Sequence, residues 1–537
     1  MCHSITVMDR PPAGGPDTTF RTLERRLYTN SALILICRVV AMAVSVISIP
    51  FVIRSLGFQG YGTWETLMAV SVVASIPQTV IGGTLIWKIS SAFGVGDFPE
   101  IVRLTRLGVA VALALFGLLL PMIWMARRPL VRLLNIPGSF AGDALWILPA
   151  IVTLFLLGGV NESLGAVIRG CQYTGLSMVI QTAASAANAA GTIGTLLLGA
   201  GLWSLWIGFA LAFLITASGF QILASRLCPG ITLRPALPRR PDVRNVRKYA
   251  GCLVLGSLSA SLRVETDKLV LASFASPAWT GYYSLAARMA GLVMEVSNFF
   301  YVPTVAAAGA LHARADWPGI RALYSRLMVV VPAAAGAVIV AVAGFPRHLM
   351  VLWIGRDVPQ AVPLLGLLLC GYASAVVLTG PGTCICKGAG RIEIETAYIA
   401  VSLALNLGLT IILVRWVGPI GTVIATAVSW AAGSLFFVFH LHRRLPLRAA
   451  PTIRAGRVFA AIIAILMAIR FASPHLGLPA GRMAAGRALA AWLPAAMVLY
   501  ASALLLTGVV PMDVWRALAG FCQGGHRNPD PMRQVHV

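Results

Sequence analysis

The chain is 537 residues long, 58% of them hydrophobic and only 11% charged, with a mean hydropathy of +0.84. A water-soluble protein of this length needs far more charge on its surface, so soluble enzymes and soluble binding domains are excluded. Its 42 Lys and Arg against 18 Asp and Glu give a formal charge of +24, yet these cations lie mostly between apolar segments and build no basic helix or aromatic platform, which excludes nucleic acid as a partner.

Residues 1–30 carry Pro11, Pro12, Gly14, Gly15 and Pro16, then Arg21, Glu24, Arg25 and Arg26. No short apolar core follows a basic start, and no small-residue cleavage site appears, so a cytoplasmic tail is expected rather than a removable signal. Beyond it, apolar runs of the length needed to cross a bilayer as helix, roughly 20 residues, recur to residue 510. They predict spans at 31–53, 63–87, 106–125, 143–168, 176–199, 202–225, 249–274, 279–306, 326–345, 360–386, 393–416, 418–441, 456–472 and 488–510. The expected fold class is therefore an all-α polytopic membrane protein of about fourteen transmembrane helices.

Alternating the loops from a cytoplasmic N-terminus places most Lys and Arg on the inner side, which fixes the expected orientation with both termini cytoplasmic. The outer loop with Arg127, Arg128 and Arg132 runs against this tally without reversing it. The longest inner loop, 226–248, includes Arg239, Arg240, Arg244, Arg247 and Lys248. It reads as a basic link between two halves.

An internal repeat supports that division. Gly60-Tyr61 returns as Gly281-Tyr282 at an offset of 221, and Asp97-Phe98-Pro99-Glu100-Ile101 as Asp316-Trp317-Pro318-Gly319-Ile320 at 219. Arg169-Gly170 answers Lys387-Gly388, and Asn188 answers Asn406, both at 218. The spacing covers six spans, an even number, so both copies cross in the same sense: a parallel repeat of two six-helix bundles with a cavity between them. The expected organisation is a tail (1–30), an N-terminal bundle (31–225), the linker (226–248), a C-terminal bundle (249–441), two additional helices (442–510) and a cytoplasmic C-terminal tail (511–537). The cysteines fall mostly in apolar segments and read as packing residues. Cys384 and Cys386 have no His nearby, so no metal and no cofactor are expected.

The run Ile49-Pro50-Phe51-Val52-Ile53-Arg54-Ser55-Leu56-Gly57-Phe58-Gln59-Gly60-Tyr61-Gly62 resembles the end of the first helix in bacterial polysaccharide transporters. These are oligosaccharide-lipid flippases of the multidrug, oligosaccharidyl-lipid and polysaccharide exporter (MOP) superfamily. Glu265-Thr266-Asp267-Lys268 followed by Gly281-Tyr282-Tyr283-Ser284-Leu285-Ala286 is similar to that family's second-half signature. The resemblance covers roughly residues 30–445. It implies flipping of an undecaprenyl-pyrophosphate-linked oligosaccharide across the bacterial inner membrane by alternating access, for O-antigen, capsule or exopolysaccharide assembly. Expected partners are that lipid-linked oligosaccharide, membrane lipids and the glycan polymerase machinery. Lipid II flippases and cation-coupled multidrug antiporters belong to the same superfamily and stand as alternatives. A membrane glycosyltransferase or polymerase would need carboxylates or His on a substantial outer loop, and the outer loops here are short and nearly free of carboxylates.

An ionisable group inside a span costs about 2.5 to 3.5 kcal/mol on insertion scales, so it faces a bundle interior or a wet cavity. Arg38, Arg288, Arg263 and Lys268 are the candidates for contact with a pyrophosphate headgroup, since guanidinium suits phosphate through bidentate hydrogen bonds. At an offset of 221, Arg38 maps to Ser259 and Arg288 to Leu67; charges that break the repeat point to a ligand rather than to the scaffold. Within 263–268, Arg263 and Asp267 are four apart and Glu265 and Lys268 three apart, spacings that also allow pairing along one helix. Glu65, Glu162, Asp267 and Glu295 are the candidates for binding a coupling ion.

Overall fold

The computed structural model describes residues 16–236, 262, 265–447, 450–472 and 481–506. The N-terminal tail up to residue 15, the linker beyond 236, most of the predicted span 249–274 and the C-terminal tail lie outside the described residues. Every other predicted span is helical: α1 (Pro16–Gly94), α2 (Phe98–Leu133), α3 (Gly138–Gly170), α4 (Thr174–Leu197), α5 (Trp203–Leu227), α6 (265–274), α7 (Pro277–Ala313), α8 (Trp317–Gly344), α9 (Pro346–Ile354), α10 (Ala361–Ser374), a π-helical turn (Ala375–Thr379), α11 (Gly380–Gly388), α12 (Ile392–Val417), α13 (Pro419–Arg444), α14 (Ala450–Ala472) and α15 (Arg482–Leu506). Among the described residues, nine segments are long and apolar enough to cross a membrane.

The helices outrun the apolar windows that predicted them because their ends carry polar residues into the headgroup zone. α2 begins eight residues before its apolar run, where Asp97 accepts a hydrogen bond from the Glu100 amide at 3.0 Å and Pro99 occupies the first turn. Such a cap satisfies an amide that has no partner within the helix. The second copy repeats this turn in detail. Asp316 accepts from the Gly319 amide at 2.8 Å, Pro318 takes the place of Pro99, and Gly96 and Ala315 both have positive φ (74° and 53°). The turn that follows each copy's Arg169 or Lys387 is matched as well. Tyr173 N donates to Ile168 O at 2.9 Å and Arg391 N to Cys386 O at 2.8 Å, across Gln172 (φ 67°) and Gly390 (φ 70°). Asp97→Ala and Asp316→Ala are each expected to cost about 1 kcal/mol of stability, read as a lower melting temperature of the purified protein.

The first two predicted spans are the two arms of α1, joined at a kink. α1 is helical throughout except at Gly57, whose φ of 67° and ψ of −178° break it. That region of backbone space is open essentially to glycine alone.

Packing contacts divide the chain into two units, residues 1–284 with 411–422, and residues 285–410 with 423–537. In the first, α3 is the central helix and packs against α1, α2 and α5. Gly165 and Gly170 permit this: a Cβ on Gly165 would lie 2.8 Å from the Phe220 ring, and one on Gly170 2.6 Å from Ile89. Cys171 and Cys228 close α3 and α5 and are buried in the same core as Ile89, Leu104 and Val167. Their thiols share a hydrogen bond, which together with burial pushes the Cys171 thiol up. That makes it a packing group rather than a nucleophile.

In the second unit, Tyr324, Met328, Ile385, Cys386, Tyr398 and Phe437 form one core cluster. The helices beyond the repeat dock there: α14 packs on α8, and α15 on α8 and α9. The Tyr500 hydroxyl donates to Ala333 O at 2.9 Å, and Arg482 donates to the carbonyls of Trp353 and Ile354 at 3.2 Å each. Arg482 thereby caps the C-terminus of α9, which ends on Gly355 at φ 90°.

Candidate functional site

The candidate site lies in the first unit, where α1 meets α6 and the start of α7. Gly60-Tyr61-Gly62 leads the second arm of α1 into Glu65, and Gly281-Tyr282-Tyr283 opens α7. The two glycine-tyrosine steps touch. A Cβ added to Gly62 would overlap the Pro277 carbonyl, one added to Gly281 would lie 2.8 Å from the Phe58 carbonyl, and the Phe58 and Tyr282 rings sit 4.4 Å apart. Backbone against backbone at this spacing requires glycine on both sides.

This close approach brings together charges that lie far apart in sequence. Lys268 Nζ sits 3.2 Å from Glu65 Oε2 on α1 and 3.1 Å from Glu265 Oε2 on its own helix. The three side chains are only 14%, 8% and 13% exposed. Next to Lys268 in the chain, Asp267 is fully buried and accepts a hydrogen bond from the Tyr283 hydroxyl at 3.0 Å. Thr280 donates to the Lys268 carbonyl at 3.2 Å, tying the start of α7 to α6. One ammonium thus serves two carboxylates in a region of low dielectric, with a third carboxylate held by a phenol. Attraction at such sites is strong, but desolvating each ion costs several kcal/mol, so the cluster is stable only while complete. Chemically, a group of buried carboxylates around one ammonium suits uptake of a proton or a small cation.

Other predicted residues are placed elsewhere. Glu162, on α3, lies against Gly82 of α1 and pairs with Arg169 at 2.5 Å, near the end where the Arg169-Gly170 turn begins. Arg38 is exposed on α1, and Arg288 and Glu295 are exposed on α7. Arg263 lies outside the described residues. The pairing of Glu265 with Lys268 follows the three-residue spacing read from the sequence. Glu65 joins them from 203 residues away, a partnership no local pattern announces. Tyr283 and Thr280 were not among the candidates. The repeated Gly-Tyr step was the available signal for them, since a glycine that recurs at matched positions marks a close approach of backbones.

No family model matches the chain, and no curated protein matches it in sequence. Solved structures do. An inward-facing multidrug resistance MATE-family transporter of the MOP superfamily aligns with a TM-score of 0.64 and 16% identity, covering 75% of this chain and 94% of that chain. The lipid II flippase MurJ in an inward closed conformation aligns with a TM-score of 0.64 and 11% identity, over 91% of this chain and 100% of that one. A MOP-superfamily transporter from Pyrococcus furiosus, described as having a binding pocket of reverse polarity, aligns at 0.54 and 15% identity, covering 78% and 94%. An all-helical chain with many spans, repeated turns and this set of structural neighbours has the fold of the MOP-superfamily transporters.

Proposed function

We propose that the chain is a flippase. It carries an undecaprenyl-pyrophosphate-linked oligosaccharide from the inner to the outer leaflet of the bacterial inner membrane, for O-antigen, capsule or exopolysaccharide assembly. The observation that carries this reading is the extent of the likeness to a lipid II flippase, 91% of this chain against 75% for the MATE transporter. The drug transporter's fold, almost fully used, leaves a quarter of the chain without a counterpart; the flippase leaves much less. A lipid-linked cargo is the more economical reading of the two.

In this reading the termini are cytoplasmic, and the headgroup enters from the inner side while the lipid tail stays in the bilayer. Arg38, exposed on α1, and Arg288, exposed on α7, are each a candidate guanidinium donor to a pyrophosphate. Lys268 is engaged by Glu65 and Glu265, which favours a part in coupling over one in holding cargo. Protonation of Glu65 or Glu265, or cation binding there, weakens the hold on Lys268 and loosens the contact of α1 with α6.

The test is leaflet sidedness of a labelled undecaprenyl-pyrophosphate-glycan in proteoliposomes. Movement that depends on the protein is expected, and Arg38→Ala and Arg288→Ala should each slow it about tenfold, the worth of one charge-assisted hydrogen bond of roughly 1.5 kcal/mol. If several glycans fail to move while cationic dyes are exported, the chain is an antiporter of the same fold.

A further inference from the structure

The end of α2 carries three arginines that the transport reading leaves without a task. Arg127, Arg128 and Arg132 are the exception to the charge asymmetry of the loops. The structure gives them an unusual setting. The Arg127 guanidinium lies 4.1 Å from the centre of the Trp124 ring and 4.7 Å from that of Trp146 on α3. The two indoles meet edge to face at 5.8 Å. Arg127 Nη1 is buried with no hydrogen-bond acceptor, and no described carboxylate forms an ion pair with Arg127, Arg128 or Arg132. Arg128 and Arg132 are exposed and four residues apart on one helix. Like charges at that spacing repel, and the helix dipole favours a cation in the last turn only.

The surroundings identify what neutralises them. Trp124 and Trp146 are 42% and 55% exposed, next to Met122 and Met125 at 58% and 84%. Indoles that face outward at the end of an apolar span mark the headgroup level of a bilayer. A guanidinium fixed there by stacking, with its remaining N–H groups unspent, presents a planar donor array to a phosphate. The neighbouring loop is held in place, because Asn135 Nδ2 donates to Ser273 O at 2.6 Å.

We propose that Trp124, Arg127 and Trp146, with Arg128 and Arg132, form a site for the phosphodiester headgroup of an anionic phospholipid. Arg127 holds the phosphate, and the indoles pack beside the lipid's glycerol and upper acyl chains. The site is separate from the Glu65–Lys268 cluster and does not depend on the identity of the cargo.

Native mass spectrometry of the full chain in neutral detergent, doped with phosphatidylglycerol or phosphatidylcholine of identical acyl chains, tests this. The wild type should retain phosphatidylglycerol preferentially, and Arg127→Gln/Arg128→Gln/Arg132→Gln should lose that preference, by about fivefold per basic residue removed. Equal retention of the two lipids by the wild type, or an undiminished preference in the triple variant, overturns the site. Arg127→Lys guards against a triple variant that does not fold. It keeps the charge but not the planar stack, and should lose most of the preference; full retention would overturn the stacked geometry. Displacement of the lipid by millimolar inorganic phosphate would assign the arginines to a soluble anion and overturn the lipid assignment.

Discussion

Lys268→Met is expected to be the most damaging single substitution in the chain. It leaves Glu65 and Glu265, 8% and 13% exposed, with no ammonium between them. Removing one partner of a buried ion cluster costs roughly 3 to 5 kcal/mol because the remaining charge is stranded, so the yield of folded protein and the melting temperature should both fall sharply. Neutralising the acids as well, in Glu65→Gln/Glu265→Gln/Lys268→Met, should restore folding, since the two side chains that face Lys268 then carry no charge to desolvate. The two variants together separate structure from function. If the cluster couples transport to an ion, the triple variant is folded yet inactive in the proteoliposome assay. A folded triple variant that flips cargo at the wild-type rate would reduce the cluster to a structural brace.

Gly62→Ala should be nearly as severe, for a different reason. The new Cβ overlaps the Pro277 carbonyl, and since both partners are backbone, no side-chain rotation relieves it. Overpacking of this kind costs about 1 to 3 kcal/mol; here the strain falls on the contact that holds Glu65 beside Lys268. Gly57→Ala is the informative control. Gly57 has open space around it, so its cost comes only from placing alanine at φ 67°. Loss of transport in Gly62→Ala, with a smaller effect in Gly57→Ala, would assign the damage to the separation of α1 from α7. Equal effects would assign it to backbone strain in α1 and argue against a role for the close contact.

The spans were legible in the sequence because a bilayer imposes one requirement on every crossing segment, an apolar run with its backbone bonded internally. The Asp97 and Asp316 turns were legible as a repeat because a cap depends on local chemistry. What escaped is what depends on neighbours. α9 is nine residues long, too short to register as a span, and depends on Arg482 from a distant helix. The helical turns on either side of Gly57, within residues 54–62, were hidden because Arg54, Gln59 and three glycines there read as a loop. Within the site, Glu265 and Lys268 were visible as a pair through helical spacing, whereas the link from Lys268 to Glu65 and from Asp267 to Tyr283 needs the fold. Arg38 and Arg288 stood out as charges within apolar runs; their exposure on α1 and α7 follows from packing alone.

The π-helical turn at Ala375–Thr379 has a consequence for the chain's tolerance of changes in length. Pro381 follows it, without an N–H and with a ring that would press on the carbonyl four residues earlier in a regular helix. The turn widens there, and the Gly380 amide reaches back to Ala375 O. A π-turn is in effect a one-residue insertion absorbed without rotating the helix on either side. Leu364, Leu365, Leu368 and Leu369 before it and Cys384, Ile385 and Cys386 after it therefore all stay buried. Residues 375–379 are thus where this helix can gain or shed a single residue while its flanks keep their faces. The same indel elsewhere in 361–388 would turn one half of the helix by about 100° relative to the other.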